Sequence, residues 1–192
     1  VLGTLATGFL LIIYLGVNQV FFLVGALLIG LALVYFIGFR RRFVCAALLL
    51  VPLAALLLQS ARPTSVVLPS GTVATVIDQV ESRYGNIKIV DYSYGLRRQR
   101  EMVLDGAVQS GIDLNSGQSV YAYYDLLGIL PTAIAPGGRD CLVIGAGGGS
   151  VPLWYEEQGV RTDVVDIDPE IIRMARQYFG FAVSGAVTIE DA

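Results

Sequence analysis

The chain has 192 residues, a formal net charge of −3, 55% hydrophobic residues and no histidine. Without histidine, imidazole acid–base work, Ser-His triads and most transition-metal sites are excluded, and no metal is expected. No run of like charge points to nucleic acid.

The hydrophobic content is unevenly spread. Residues 1–59 carry no charge apart from Arg40, Arg41 and Arg42, and the rest has an ordinary globular composition. The expectation is a membrane segment followed by a soluble domain. Transmembrane helices are expected over 1–61, with a linker over 62–71. The apolar run from Leu2 to Phe39 exceeds the roughly 20 residues of one spanning helix. Gly16-Val17-Asn18-Gln19 is its natural break, giving the tail of one helix (1–16) and a second helix (20–38). Phe43 to Leu58 is a third apolar run. Gly25, Ala26, Gly30 and Ala32 would let helices pack closely. Asn18 and Gln19, the only strongly polar side chains before the arginines, sit at the break, so the segment reads as an anchor and not a carrier. The positive-inside rule places Arg40 to Arg42 in the cytoplasm. One further crossing would then put the following domain outside, whereas a nucleoside cosubstrate is expected inside. Cys45 and Cys141 read as small apolar residues, not as a disulfide. The chain starts without Met and ends just after a third strand signal, so it is expected to continue at both ends.

A small antiparallel β-domain is expected over 72–117. Thr72 to Asp78 is rich in β-branched residues, and Asn86 to Tyr92 alternates, with Ile87 and Ile89 on one face. Arg100 to Leu104 follows, closed by the turn signal Asp105-Gly106. Arg97, Arg98 and Arg100 read as a solvated hairpin face. Gln118 to Leu127 is a helix candidate whose tyrosines read as packing, and Pro131 and Pro136-Gly137-Gly138 punctuate what comes after it.

Residues 118–192 are expected to form a nucleoside-binding, Rossmann-like domain. Cys141 to Ile144 is a short apolar run suited to a buried parallel strand. Gly145-Ala146-Gly147-Gly148-Gly149-Ser150 is a glycine turn. Val151 to Gln158 reads as a helix ended by Gly159, and Thr162 to Val165 as a second strand ending on Asp166. Glycines let a backbone approach a ligand closely, and a helix start favours polar or anionic groups. Asp166 lies 21 residues after Gly145, where an acid can accept bonds from two ribose hydroxyls. A tight turn with no ligand is the alternative. The dinucleotide pattern needs glycine at position 150, where Ser150 stands, so an adenosyl-sulfonium ligand is favoured over a dinucleotide. Pro169 to Phe179 is an amphipathic helix. Val187 to Ile189 is a third strand ending on Glu190-Asp191-Ala192, at the same sheet edge as Asp166.

The chain resembles the spermidine synthases in Glu81-Ser82-Arg83-Tyr84-Gly85-Asn86-Ile87, Leu104-Asp105-Gly106-Ala107-Val108-Gln109 and Tyr123-Tyr124-Asp125. The resemblance continues, in the same order, through Leu142 to Gly149, Val165-Asp166-Ile167-Asp168 and Glu190-Asp191-Ala192. With its apolar N-terminus it looks like a membrane-attached, bacterial member. The resemblance implies an α/β chain in which a β-domain precedes a methyltransferase-type Rossmann fold, incomplete at its C-terminus. It implies decarboxylated S-adenosylmethionine as aminopropyl donor, a small amine as acceptor, and a possible homodimer in the inner membrane. Gly145, Gly147, Gly149, Asp166, Ile167, Asp191 and Ala192 stand where the family holds the nucleoside. Tyr123, Tyr124, Asp125 and Gly148 stand where it holds the amine.

The amine side departs from the family pattern. Gly148 replaces a loop Asp, Tyr124 a His, Asp125 a Glu, Ser119-Val120 an acidic pair, and Gly85 a donor-site Gln. Restoring an acid by Gly148→Asp is expected to improve diamine use. The catalytic Asp is expected beyond Ala192. Two alternatives remain: a methyltransferase using intact S-adenosylmethionine, and a membrane protein whose nucleotide fold only senses or scaffolds.

Overall fold

The computed structural model describes residues 3, 17–38 and 65–191. The chain divides into two compact units, Val1–Pro63 and Thr64–Ala192.

The described part of the first unit is helix α1 (Val17–Gly38), 22 residues with no acidic residue in its first turn and no basic one in its last. It runs through Val17, Asn18 and Gln19, where a break was expected. A regular helix of this length rises about 33 Å. Phe21, Leu27, Leu28, Leu31 and Val34 are each 62–72% exposed. Among the described residues no helix qualifies as a candidate membrane span, so the expected transmembrane helices are not established by the structure. Arg40 to Arg42, Cys45 and the run 43–58 lie outside the described residues.

The second unit opens with a five-stranded antiparallel sheet in sequential order: β1 (Ser65–Val67), β2 (Val73–Glu81), β3 (Asn86–Tyr94), β4 (Arg97–Leu104) and β5 (Ala107–Asp113). The three expected strands are present and longer than expected. β1 falls inside the stretch read as a linker, where Ser65 to Val67 pairs with Val73 to Thr75. β5 was not foreseen, because Gln109, Ser110 and Gly111 carry little strand propensity. Its cause is the turn before it. Asp105 and Gly106 both have positive φ (48° and 86°), the backbone of a tight hairpin that folds the chain back on β4.

The core lies between this sheet and the following crossover. Ile87 and Ile89, two residues apart on β3, are both fully buried with Met102 of β4. They pack with Ile171, Ile172, Met174 and Ala175 in one cluster. Burying each isoleucine contributes about 1.5–3 kcal/mol. Arg97 and Arg98 are exposed, as expected, but Arg100 is not on a solvated face. Its Nε and Nη2 donate to Asp91 at 2.7 and 2.8 Å, and its Nη1 donates to the Tyr178 carbonyl at 3.2 Å.

Helix α2 (Tyr123–Ile134) starts later than expected and contains Pro131. Its start is delayed because Val120 N–H still bonds the Gly111 carbonyl at 3.1 Å, holding that stretch against β5. Pro131 has no N–H for the carbonyl of Leu127. Tyr155 fills the gap, its hydroxyl donating to that carbonyl at 2.8 Å.

The rest is a parallel crossover: β6 (Asp140–Ile144), α3 (Ser150–Glu157), β7 (Arg161–Asp166), α4 (Pro169–Tyr178) and β8 (Val187–Ile189), with strand order β6-β7-β8. Asp168 caps α4 by accepting from Glu170 N–H at 2.9 Å, with Pro169 at the first helical position,. The α/β architecture with an antiparallel sheet before a Rossmann-like region is as expected.

Candidate nucleoside site

The glycine loop joins β6 to α3 at the C-terminal edge of the parallel sheet, where open α/β sheets bind ligands. Gly145 N–H is tied to the Val165 carbonyl at 2.8 Å, and Gly149 N–H to the Ala146 carbonyl at 2.8 Å. Gly149 caps α3 at φ 83°, a conformation costly for other residues. A Cβ there would also stand 2.5 Å from the Phe181 ring. This glycine is therefore required by local packing.

Asp166 closes β7 and is 8% exposed. Its Oδ2 accepts from Ala146 N–H at 2.7 Å and its Oδ1 from Asp168 N–H at 2.9 Å. The two amides fix the carboxylate against the loop, and each oxygen keeps a further lone pair. Asp168 is 2% exposed, and while its Oδ1 caps α4, its Oδ2 has no hydrogen-bond partner. The motif Asp166-Ile167-Asp168 was legible. The unpartnered oxygen was not, since a capping aspartate is ordinarily complete with its cap.

These groups line a cleft of ≈ 580 Å³. Gly145, Gly147, Gly148, Asp166, Ile167 and Tyr123 all line it, and among the described residues Asp166 and Asp168 are the only charged ones that do. Tyr124 and Asp125 do not line it, and neither does Gly149, the cap of α3. Asp191 lines an adjacent cleft with Glu190, Ile167 and Asp168. The two clefts meet at the Asp166 edge, where Glu190 N–H bonds the Asp166 carbonyl at 3.1 Å. Ala192 lies outside the described residues. Cys141 also lines the main cleft, and burial raises its thiol pKa, so it stays protonated and a poor nucleophile,.

The β-domain and α2 also line the cleft, through Leu104, Gln109, Ser110, Tyr123 and Leu127. Tyr123 donates its hydroxyl to the Gln109 carbonyl at 3.1 Å. Its ring stacks on Tyr121 with centroids 6.1 Å apart, and the Tyr121 hydroxyl bonds Glu101 at 2.5 Å. Glu101, only 8% exposed, was missed by sequence reasoning. It sits on a strand read from its arginines, and its partner Tyr121 is 20 residues away.

Two departures from the family pattern are built into the packing. A Cβ on Gly148 would lie 2.5 Å from Ser110 Oγ, 2.9 Å from Ser110 Cβ and 3.1 Å from Phe179. A side chain introduced by Gly148→Asp would therefore have to displace Ser110, which occupies the space it needs. Gly85 has φ 151°, and a Cβ there would lie 2.5 Å from Asp105 Oδ2. The other oxygen of Asp105 holds Asn86 N–H at 2.8 Å, so no longer side chain fits at Gly85.

The fold and cleft define a Rossmann-like α/β unit preceded by an antiparallel sheet. Relatives of this chain are polyamine aminopropyltransferases, at low identity. One, from Lachnoclostridium phytofermentans, is 33% identical over 105 residues, 53% of this chain and 34% of that protein. The chain thus spans about a third of that relative's length. A shorter stretch is similar to the mouse eEF1A lysine and N-terminal methyltransferase, 42% identical over 53 residues, 27% of this chain and 8% of that protein. Among solved structures, a probable spermidine synthase from Corynebacterium glutamicum superposes with a TM-score of 0.49 at 19% identity, covering 59% of this chain and 44% of that one. No family model matches.

Proposed function

We propose that the chain carries the donor site of an aminopropyltransferase acting on decarboxylated S-adenosylmethionine. The observation that carries the reading is Asp166, nearly buried and aimed by Ala146 N–H and Asp168 N–H at the glycine loop. In this reading Asp166 accepts from the ribose hydroxyls. Gly145 and Gly147 let the backbone approach the nucleoside, with Ile167 against it, and Asp191-Ala192 meets the adenine. Tyr123 faces the acceptor. The amine nitrogen attacks the carbon next to the sulfonium. The N–C bond forms as the C–S bond breaks, the electron pair stays on sulfur, and methylthioadenosine leaves. Bringing donor and amine together in one cleft supplies the proximity term. Carboxylates beside the cleft favour a cationic sulfonium in a partly desolvated site. The similarity to aminopropyltransferases supports this chemistry over other uses of a glycine loop.

The test is to incubate the full chain with decarboxylated S-adenosylmethionine and a panel of primary amines, following methylthioadenosine release. Release that depends on both donor and amine supports the reading, and its absence with a correctly folded protein removes it. A second reading, methyl transfer from intact S-adenosylmethionine, draws on the short similarity to the methyltransferase. It calls instead for release of S-adenosylhomocysteine.

Membrane attachment is part of the same proposal. It rests on residues 1–59, which hold no charge outside Arg40 to Arg42, and on the uncharged α1 with its exposed Phe21, Leu27 and Leu31. Flotation of the full chain with lipid vesicles supports it, and recovery away from the vesicles removes it. The family resemblance adds a homodimer, which light scattering in detergent tests.

A further inference from the structure

Glu101 and Gly111 are paired across β4 and β5, and paired residues send their side chains to the same side of a sheet. Gly111 has none to send, and the Tyr121 ring takes that room. A Cβ on Gly111 would stand 2.7 Å from the ring and 3.3 Å from the Glu101 side chain. The Tyr121 hydroxyl donates to Glu101 Oε1 at 2.5 Å, and Gln99 Nε2 donates to the same oxygen at 2.5 Å. Glu101 is buried, and a hydrogen bond to a carboxylate is stronger than one between neutral groups. Val120 N–H, bonded to the Gly111 carbonyl at 3.1 Å, holds the adjoining backbone. Tyr121 is thus fixed on the antiparallel sheet at its ring, its hydroxyl and its neighbour's amide.

Tyr123 is fixed in turn. Its ring stacks on Tyr121 with centroids 6.1 Å apart and planes at 18°, and its hydroxyl donates to the Gln109 carbonyl at 3.1 Å. It lines the cleft and is 43% exposed, so a ligand can reach it. With its proton committed to Gln109, the hydroxyl offers its lone pairs, which suit the N–H of an amine. We infer that Glu101 and Tyr121 are positioning residues for the acceptor amine, acting through Tyr123. This rests on the aminopropyl-transfer reading, in which Tyr123 faces the acceptor. The amine nitrogen must be aligned with the carbon next to the sulfonium, and a misplacement of about 1 Å costs up to about a hundredfold in rate. The buried carboxylate removes the freedom of Tyr121 to swing, and with it a freedom of the ring stacked on it.

The experiment is a double-mutant cycle on the full chain with decarboxylated S-adenosylmethionine. Methylthioadenosine release is followed with putrescine or hexylamine, whichever wild type uses faster, and methylthioadenosine is titrated in the same preparations. Tyr121→Phe keeps the stacked ring and removes the bond to Glu101. It should lower kcat about tenfold, and Tyr123→Phe about as much, with methylthioadenosine affinity within about twofold of wild type. In the Tyr123→Phe background, Tyr121→Phe should add less than about twofold, because residues that act as a unit are not additive. Glu101→Met should lose about as much as Tyr121→Phe and add nothing to it. A tenfold loss repeated in the Tyr123→Phe background, or an unchanged kcat in Tyr121→Phe, overturns the inference and leaves the donor site standing. Wild type that binds methylthioadenosine and uses neither amine also overturns it. Wild type that does not bind methylthioadenosine overturns the donor reading itself. If a single variant does not fold, Glu101→Met with Tyr121→Phe removes both partners of the bond, a change that is often nearly neutral for stability, and carries the cycle with Tyr123→Phe.

Discussion

Asp166 Oδ2 accepts a hydrogen bond from Ala146 N–H at 2.7 Å, joining the end of one parallel strand to the glycine loop of its neighbour across 20 residues of sequence. This bond presents a buried carboxylate to the cleft instead of leaving it solvated at a strand end. Asp166→Asn keeps the size but removes the charge and puts a donor near Ala146 N–H or Asp168 N–H. Hydrogen bonds to charged groups contribute about 1.5–3 kcal/mol, so methylthioadenosine should bind roughly 10–100-fold more weakly. Calorimetry with a thermal melt as control checks this, and unchanged affinity in a folded variant removes the ribose assignment.

Arg100 and Asp91 pair in a fork with side chains 20% and 13% exposed, and Arg100 also reaches the Tyr178 carbonyl. The pair ties the antiparallel sheet to α4. An exposed pair contributes up to about 1 kcal/mol and a buried one costs about 3–5 kcal/mol to break. Arg100→Met leaves Asp91 unpaired and should cost about 2–3 kcal/mol in urea unfolding, between those limits. A midpoint within error of wild type would show the fork to be dispensable.

Tyr121 lies against Glu101. Burial first, and then its bond to Glu101, raises its pKa well above the ordinary value. A raised folded pKa means the contribution is complete below the unfolded value, about 10, and fades as pH rises toward the folded one. Tyr121→Phe leaves a carboxylate, itself 8% exposed, short of a donor. It should cost about 1–3 kcal/mol at neutral pH and flatten the loss of stability above about pH 10. An unaltered alkaline profile would contradict the assignment.

Glu156 Oε1 gathers Thr162 N–H, Ser184 N–H and the Ser184 hydroxyl, each at 3.0 Å. Partial desolvation alone would raise its carboxyl, but the bonds from Ser184 and Thr162 outweigh it and hold the pKa below the ordinary glutamate value. The stabilisation is complete above the unfolded value, about 4.3, and is lost as pH falls through the lower folded value. Glu156→Gln should lower the melting temperature at pH 7 and reduce its fall below about pH 4.3. Parallel curves for the two proteins would show that the bonds carry no charge-dependent stability.

The legible parts of the chain are those whose cause is local. The alternation of Ile87 and Ile89 gave β3, and Asp168-Pro169 before an amphipathic run gave α4. The spacing from Gly145 to Asp166 placed the acid at the loop. What could not be read comes from contacts between distant residues. β5 exists because the Asp105-Gly106 turn overrides the poor propensity of Ser110 and Gly111. α2 passes through Pro131 because Tyr155 supplies the missing donor. The missing acid at Gly148 was visible in the sequence, but Ser110 filling its place required the antiparallel sheet to be laid against the loop. Tyr124 and Asp125 followed Tyr123 in the motif, yet only Tyr123 lines the cleft, since consecutive helical residues point in different directions.

The most direct measurement is calorimetric titration of the full chain with decarboxylated S-adenosylmethionine, S-adenosylmethionine and methylthioadenosine. We expect methylthioadenosine to bind and the decarboxylated donor to bind more tightly than the intact one by about tenfold or more. Preference for intact S-adenosylmethionine would contradict aminopropyl transfer and point to methyl transfer. Binding of none of the three would leave the glycine loop as a structural turn in a scaffold.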